Sequence, residues 1–219
     1  MIEIILPTLN EEEGLPLVIQ GFRKQGINNL IVVDGHSKDK TLEIAKKAGA
    51  KIVMQEGKGK GMAFQTFLKN YPIKDNDFYI MLDTDNTYDP LDVRKFIKLL
   101  EKYDVVTGHR TTIRYNFKEF THYLGNKFIS LICVSLFFRW NPDICTGYWG
   151  FRGAALKKMS IKAKGFDLEA NLFCQTLKCR LRHKIVKIDY YPRVGLRKLK
   201  GSDALIIIRR LIIERLSKH

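Results

Sequence analysis

Five short apolar runs, the first four each followed by an amphipathic stretch, fill the first 110 residues and restrict the fold more than any other feature of the chain. The runs are "IEIIL" (2–6), closed by Pro7, then "NLIVVD" (29–34), "KIVMQ" (51–55), "DFYIML" (77–82) and "DVVTG" (104–108). Between them, "NEEEGLPLVIQGFRKQG" opens with an acidic turn that suits a helix dipole, and "KTLEIAKKAGA" closes on Gly49. "MAFQTFLKNY" follows a glycine-rich turn, and "PLDVRKFIKLLEKY" starts at Pro90, a favoured first helical position. Regular strand–helix alternation predicts an α/β fold with a mostly parallel, Rossmann-like sheet flanked by helices. Strands of this length suit a doubly wound sheet covered on both faces. Ligands of such sheets bind outside the carboxyl ends of the strands. Those ends carry Thr8–Asn10, Asp34, the glycine turn at 57–61, Asp83–Asp85 and Gly108–Arg110.

After residue 110 the pattern changes. "TTIRYNFKEFTHYLGNKFISLICVSLFFRW" is basic and aromatic, then strongly apolar, and "NPDICTGYWGFRGAAL" reads as a loop leading into a strand. A helix "GFDLEANLFCQTLKC", a strand "HKIVKIDYYPRVG" and a terminal amphipathic helix "SDALIIIRRLIIERLSKH" complete the chain. With 219 residues, 45% apolar, no repeat and no linker, a single domain is expected. Residues 1–165 form its core, and 166–219 form a C-terminal segment of the same domain. The apolar run Phe128–Phe138 is shorter than the ~20 residues that span a bilayer, so membrane contact is expected only from the surface. The start "MIEIILPTLNEEE" enters a strand directly, and no targeting leader is expected. The four cysteines have no metal-binding spacing and read as reduced, structural thiols of a cytosolic protein. A net charge of +15 calls for an anionic partner: nucleic acid, an acidic membrane surface or a phosphorylated substrate.

The pair Asp83 and Asp85 sits where a buried strand emerges. With one residue between them, an extended chain points both carboxylates to one face, where they repel unless a cation lies between. A hard dication takes few protein carboxylates and completes its shell with phosphate oxygens. The bland alternative is one aspartate capping the next turn beside a solvated one. Asp34 ends another strand and can accept hydrogen bonds from a ribose or base, while Asp39 reads as a helix cap. "GKGKGMAF" places three glycines, Lys58 and Lys60 ahead of a helix, where amides and lysines can face phosphate. It lacks P-loop spacing, and the first turn lacks the dinucleotide fingerprint.

In this order and spacing, "PTLNEEE", "VVDGHSKDKT", "GKGKGMA", "LDTDNTYDP" and "VTGHR" resemble the family 2 glycosyltransferases of GT-A fold. Within them the chain is similar to the polyprenyl- and dolichyl-phosphate glycosyltransferases. "DICTGYWGFRGAAL" and "RVGLRKL" resemble two later segments of that group, so the likeness covers nearly the whole chain. The resemblance implies that Pro7, Thr8, Asn10, Glu11 and Asp34 hold base and ribose, and that Lys58 and Lys60 flank the nucleotide. It implies that Asp83 and Asp85, with Thr84 between them, hold Mg²⁺ or Mn²⁺ against the donor diphosphate. Arg110, Arg114, Arg152, Arg193 and Lys198 become candidates for the acceptor or leaving phosphate. Asp143 would orient the acceptor or act as a base, with His109 and His122 as alternatives that read equally as packing or surface histidines. Trp149 and Arg197 depart from the group's pattern, and Arg152 or Arg197 is then expected to replace the displaced charge.

The implied reaction is metal-dependent, inverting transfer of a sugar from a nucleotide-sugar to a dolichyl or polyprenyl phosphate. UDP-glucose or UDP-N-acetylglucosamine is favoured over GDP-mannose, and the setting is protein glycosylation. An acceptor phosphate is already ionised near neutral pH, so a strong base is not required. Such a lipid is met at the bilayer, so a peripheral position on the cytoplasmic face is expected. "NKFISLICVSLFFRW" and "ALIIIRRLIIERL" would lie at that surface, or else pack in a core or homodimer. A family 2 enzyme acting on a non-lipid glycan is the nearest rival. A basic nucleic-acid-binding protein is the rival of another class, disfavoured by the acidic strand ends.

Overall fold

The computed structural model describes residues 1–112, 117–195 and 203–217, with the backbone alone for 112 and 117–123. Arg114 and Lys198 lie outside the described residues, as does Arg197, and the side chain of His122 is not described.

Three β–α units open the chain: β1 (Ile2–Thr8), α1 (Gly14–Lys24), β2 (Leu30–Asp34), α2 (Thr41–Lys47), β3 (Lys51–Met54) and α3 (Lys60–Asn70). β4 (Phe78–Met81) leads through a 3₁₀ turn, Pro90–Asp92, into α4 (Val93–Leu100), followed by β5 (Val105–Thr112) and α5 (Phe117–Phe137). The remaining elements are β6 (Trp149–Arg152), α6 (Gly153–Leu156), α7 (Leu168–Lys178), β7 (His183–Asp189) and α8 (Asp203–Leu216). The seven strands form one sheet in the order β3-β2-β1-β4-β6-β5-β7. Every pairing is parallel except those of β6, which runs antiparallel between β4 and β5. The expected α/β sheet is therefore present, with one reversed strand that the first 110 residues do not supply.

Alternation along the strands splits the apolar side chains between two cores. Ile4 and Leu6 of β1 join Leu15, Val18 and Phe22 of α1 and Phe96 of α4 on one face. Ile5 joins Phe64 and Phe67 of α3 and Leu172 and Phe173 of α7 on the other. Phe96 stacks on Tyr148 at 4.2 Å between ring centroids. Each such buried ring contributes about 1.5–3 kcal/mol by leaving water.

Strand β1 runs through Pro7, where the sequence suggested a stop. In a parallel strand the backbone groups of one residue point to one side. Those of Ile4 and Thr8 engage the β2 side, while the Ile5 carbonyl accepts from Leu82 on the β4 side. Pro7 faces the β4 side beyond the last rung, Ile5 opposite Met81, so its missing N–H leaves no ladder bond unmade. The chain moves outward from β1 to β2 and β3, then returns across β1 to β4. This reversal opens a crevice between the carboxyl ends of β1 and β4, the place where open α/β sheets bind ligands.

Candidate active site

Strand β4 delivers the acidic turn to that crevice. Leu82 makes the last bond to β1, and the chain then leaves the ladder at Asp83. Asp83 packs against Gly147, where a Cβ would lie 2.2 Å from its Oδ2, so any other residue there would displace the carboxylate. Gly14 at the start of α1 lies equally close under the Thr84 carbonyl, at 2.3 Å for a Cβ. Thr84 is buried, its hydroxyl donating to the Pro7 carbonyl at 3.4 Å. Asp85 is buried too: Oδ1 accepts from the Thr87 hydroxyl at 2.6 Å and amide at 3.1 Å. Burial and the neighbouring Asp83 charge raise the pKa of Asp85, against the pull of Thr87 and Arg193. The two carboxylates thus interact, although the turn rather than an extended strand presents them.

Each aspartate meets a cation that is also held by a second carboxylate. Lys60, the first residue of α3, places Nζ 2.5 Å from Asp83 Oδ1 and 2.6 Å from Glu169 Oε1. Burial works to discharge this lysine, but the two carboxylates prevail and hold its pKa above the ordinary value. Glu169 is buried near the start of α7, and desolvation raises its pKa in spite of Lys60. Arg193 follows β7 and reaches Asp85 Oδ2 at 2.7 Å and Glu11 Oε1 at 2.5 Å. Its segment is fastened to the acidic turn by Val194 N–H to the Asp85 carbonyl and Tyr191 N–H to the Thr87 carbonyl. Arg193 Nε is buried and has no partner among the described residues.

At the other end of the crevice, the turns after β1 and β2 are laced together. The Asn10 amide donates to Ser37 Oγ, and Asn10 Oδ1 accepts from the Lys38 amide. The Glu11 amide donates to Thr41 Oγ1, and the Thr8 carbonyl accepts from Gly35. Asp34 is fully buried at this junction. Its Oδ2 accepts from the Ser37 amide at 2.9 Å, while Oδ1 has no partner among the described residues. An orphaned acceptor of this kind costs stability unless a ligand hydroxyl or amide meets it. Asp39 accepts from the amides of Thr41 and Glu12, which accounts for it locally.

The glycine turn does not cradle an anion with its amides. Gly61 and Met62 donate their N–H groups to the carbonyls of Gly165 and Lys164. The glycines admit that second backbone: a Cβ on Gly59 or Gly61 would lie 2.6 Å from Lys164 O or 2.2 Å from Ala163 O. The turn contributes Lys60 to the site, whereas Lys58 is exposed.

Asp143 lies in the loop before β6, buried, and both of its oxygens are taken. Oδ1 accepts from Arg110 Nη2 and Asn126 Nδ2, and Oδ2 from Arg110 Nε and the Arg110 amide. Four donors leave it no lone pair aimed outward to take a proton, so the structure favours positioning of Arg110 over a base. Arg110 also lies over the Tyr190 ring, 5.0 Å from its centroid. His109 is half-buried, and desolvation lowers its pKa. Arg152 is not in the site. It ends β6 opposite Phe78, at the entry of β4, and donates to the carbonyls of Leu100 and Glu101 at 2.6 Å each. The acidic turn lies ~15 Å away, at the far end of β4. Trp149 faces the core, stacked on Phe151 and donating to the Thr146 carbonyl. The expected transfer of charge to Arg152 is therefore corrected.

Glu169, Gly147, Asn126 and Tyr190 join the site without having been singled out in the sequence. Glu169 lies in α7 within Leu168–Thr176, a stretch whose burial only the structure reveals.

Helices α5 and α8 pack together through Ile129, Cys133, Ile207 and Leu211. Beyond that seam Leu124, Phe128, Leu131, Phe138 (81% exposed) and Trp140 are open to solvent, with Leu205 (72%), Ile212 and Leu216 (77%) of α8. Arg210 and Glu214 do not face outward: Glu214 is buried against Asn171 and Lys178 of α7, and Arg210 bonds Asp167. Among the described residues, no helix is long and apolar enough to cross a membrane.

Comparison with known proteins bears on the family and the fold. The family model described as Glycosyl transferase family 2 matches residues 3–160. Glycosyltransferase AglJ of Haloferax volcanii is 33% identical over 202 residues, 91% of this chain, which spans 64% of the length of that protein. The UDP-N-acetylglucosamine–dolichyl-phosphate N-acetylglucosaminyltransferase of Methanococcus voltae is 26% identical over 247 aligned positions, covering 100% of this chain and 97% of that one. Among solved structures, glucosyl-3-phosphoglycerate synthase from Mycobacterium tuberculosis, in complex with Mn²⁺, UDP-glucose and phosphoglyceric acid, superposes with a TM-score of 0.71. It shares 23% identity, over 99% of this chain and 78% of its own.

Proposed function

We infer that this chain, a member of glycosyl transferase family 2 with the GT-A fold, acts as a glycosyltransferase. We propose that it transfers a sugar from a nucleotide-sugar to a dolichyl or polyprenyl phosphate at a membrane surface, with inversion. A UDP-sugar is favoured as donor over GDP-mannose. The reading is carried by the acidic turn at the β1/β4 crevice, where Gly147 makes room for Asp83 and Asp85 is buried beside it. Support for the acceptor class comes from the Methanococcus voltae relative, whose name gives dolichyl phosphate.

The donor set fits Mg²⁺ or Mn²⁺. Asp83 and Asp85 offer hard carboxylate oxygens, and Asp83 is 31% exposed at its side chain. Among the described residues no three His, Cys, Asp or Glu side chains converge to cage an ion alone. That suits a dication completing its shell with diphosphate oxygens and water. When bound, such an ion neutralises charge that builds on the departing diphosphate.

The chain's own residues do the remainder. Asp34, with its orphaned Oδ1, receives a hydroxyl or amide of the nucleoside, and the laced turns of Thr8–Glu11 form the wall beside it. Lys60 and Arg193 face the leaving diphosphate and stabilise its charge, an electrostatic contribution that is often the largest in catalysis. Arg110, held by Asp143, meets the acceptor phosphate, whose ionised oxygen attacks without a general base. Residues 166–219 supply Glu169, Arg193 and α8, and with α5 form the acceptor and membrane side. The exposed apolar rows of α5 and α8, bordered by Arg139, Arg209 and Arg215, lie on the cytoplasmic face of the bilayer.

A donor screen tests this reading. Protein, Mn²⁺ or Mg²⁺ and a short polyprenyl phosphate are incubated with labelled UDP-glucose, UDP-N-acetylglucosamine or GDP-mannose. Label is expected in the organic phase with a UDP-sugar. Label that stays in the aqueous phase with all three donors, but passes to a water-soluble glycan supplied in a parallel reaction, would refute the lipid acceptor.

A further inference from the structure

We propose that Lys60 is a placeholder for the metal at Asp83, and that it turns to the nucleotide's diphosphate when metal and nucleotide arrive together. Lys60 would then couple the two binding events, with Glu169 as its positioning residue. The inference rests on the donor and metal reading given above.

The geometry points to this exchange. Lys60 is gripped from two sides, by Asp83 and by Glu169. Glu169 is fixed in a buried stretch of α7, so neither metal nor nucleotide need remove it. The side chain of Asp83 is more exposed than that of Lys60, 31% against 13%, so an ion from solvent reaches the carboxylate and competes with the ammonium there. An ammonium on a flexible stem changes partners readily, because it carries three donors and no fixed plane. Arg193 repeats the arrangement at Asp85, with Glu11 on its other side, and its buried Nε lacks a partner among the described residues. The crevice therefore already contains an unmet donor beside the acidic turn, as expected of a site whose cations await an incoming anion.

The consequence is thermodynamic. A metal binding alone must pull Asp83 from Lys60 and leave the ammonium with Glu169 only. A metal binding with a diphosphate gives Lys60 a new acceptor, so the displacement is offset. Metal and nucleotide then strengthen each other's binding by the same factor.

The test measures Mn²⁺ affinity of the full chain by calorimetry and by the electron paramagnetic resonance of free Mn²⁺, without UDP and with saturating UDP. The ratio of the two dissociation constants is the coupling factor. In the wild type UDP should tighten Mn²⁺ binding at least about tenfold. Lys60→Gln keeps donors toward Asp83 and Glu169 but removes the charge. Its coupling factor should fall by about tenfold, or ~1.4 kcal/mol, because Mn²⁺ alone binds more tightly and UDP more weakly. Lys60→Arg retains the charge and should stay within about threefold of wild type. If Lys60 acts only through its general field, Lys60→Gln strengthens Mn²⁺ equally with and without UDP. An unchanged coupling factor therefore overturns the exchange while leaving the donor site standing. Should Lys60→Gln fail to fold by thermal unfolding, Glu169→Gln takes its place, and an unchanged factor there overturns the inference in the same way. No Mn²⁺ binding by the wild type, with or without UDP, would overturn the metal reading and the exchange together.

Discussion

Replacing Gly147 by alanine adds one methyl group at the point where the acidic turn is tightest. The new Cβ would sit 2.2 Å from Asp83 Oδ2, 2.7 Å from its Cγ and 3.0 Å from Oδ1. The whole carboxylate, not one atom at its tip, must recede, by at least about 0.8 Å to bring the closest approach to 3.0 Å. Asp83 is short and follows directly on the last rung of β4, so it has little room to swing without losing Lys60. A displacement near 1 Å of a group that orients the reacting atoms costs about 10²-fold in rate, ~2.7 kcal/mol of transition-state stabilisation. Gly147→Ala should therefore lower kcat/KM for the donor about a hundredfold, read as label transferred at limiting nucleotide-sugar and saturating metal. Its thermal unfolding should remain cooperative, since the apolar cores are untouched. Activity within threefold of wild type would refute the claim that Asp83 must occupy this position.

Arg152→Ala should reduce stability by about 1–2 kcal/mol, through the two backbone carbonyls it abandons, and leave transfer within about twofold, as chemical denaturation and rate assays can check. His183 is half-buried against Thr107, and desolvation lowers its pKa to about 4. The folded state thus refuses a proton that the unfolded chain accepts below about 6.5, so this histidine contributes stability that falls as pH drops from there towards 4. Between pH 7 and 5 the loss is ~2 kcal/mol, and His183→Gln should flatten the decline in denaturation midpoint across that range. Serine at Phe138, Trp140, Leu205 and Leu216 together should abolish sedimentation with anionic vesicles while sparing transfer to a short, water-soluble acceptor phosphate. Unaltered vesicle binding would remove this face from the membrane.

The parts of the fold set by local pattern were legible. Five strands and the four helices between them could be read from apolar periodicity, and the carboxyl ends of those strands located the polar rim of the crevice. Non-local pairing was not. Nothing in "YWGFRGAAL" reveals that β6 wedges between β4 and β5 or that it runs backwards. That single reversal explains the misplaced arginine: the last residue of a parallel strand would reach the acidic turn, whereas in β6 Arg152 is carried to the opposite edge. The glycine turn misled for a related reason. Glycines that let a diphosphate approach and glycines that let a second backbone approach have the same spacing, and only the 163–165 segment distinguishes them. Glu169 was hidden because its partner Lys60 lies 109 residues earlier in the chain.

The central claim is that Asp83 and Asp85 hold a dication against the nucleotide's diphosphate. Its most direct test is anomalous diffraction at the manganese edge from a crystal soaked with Mn²⁺ and UDP. A single strong peak within coordination distance of carboxylate oxygens of both residues and of the diphosphate is predicted. UDP bound in the crevice with no peak at that turn, or with manganese elsewhere, would contradict it.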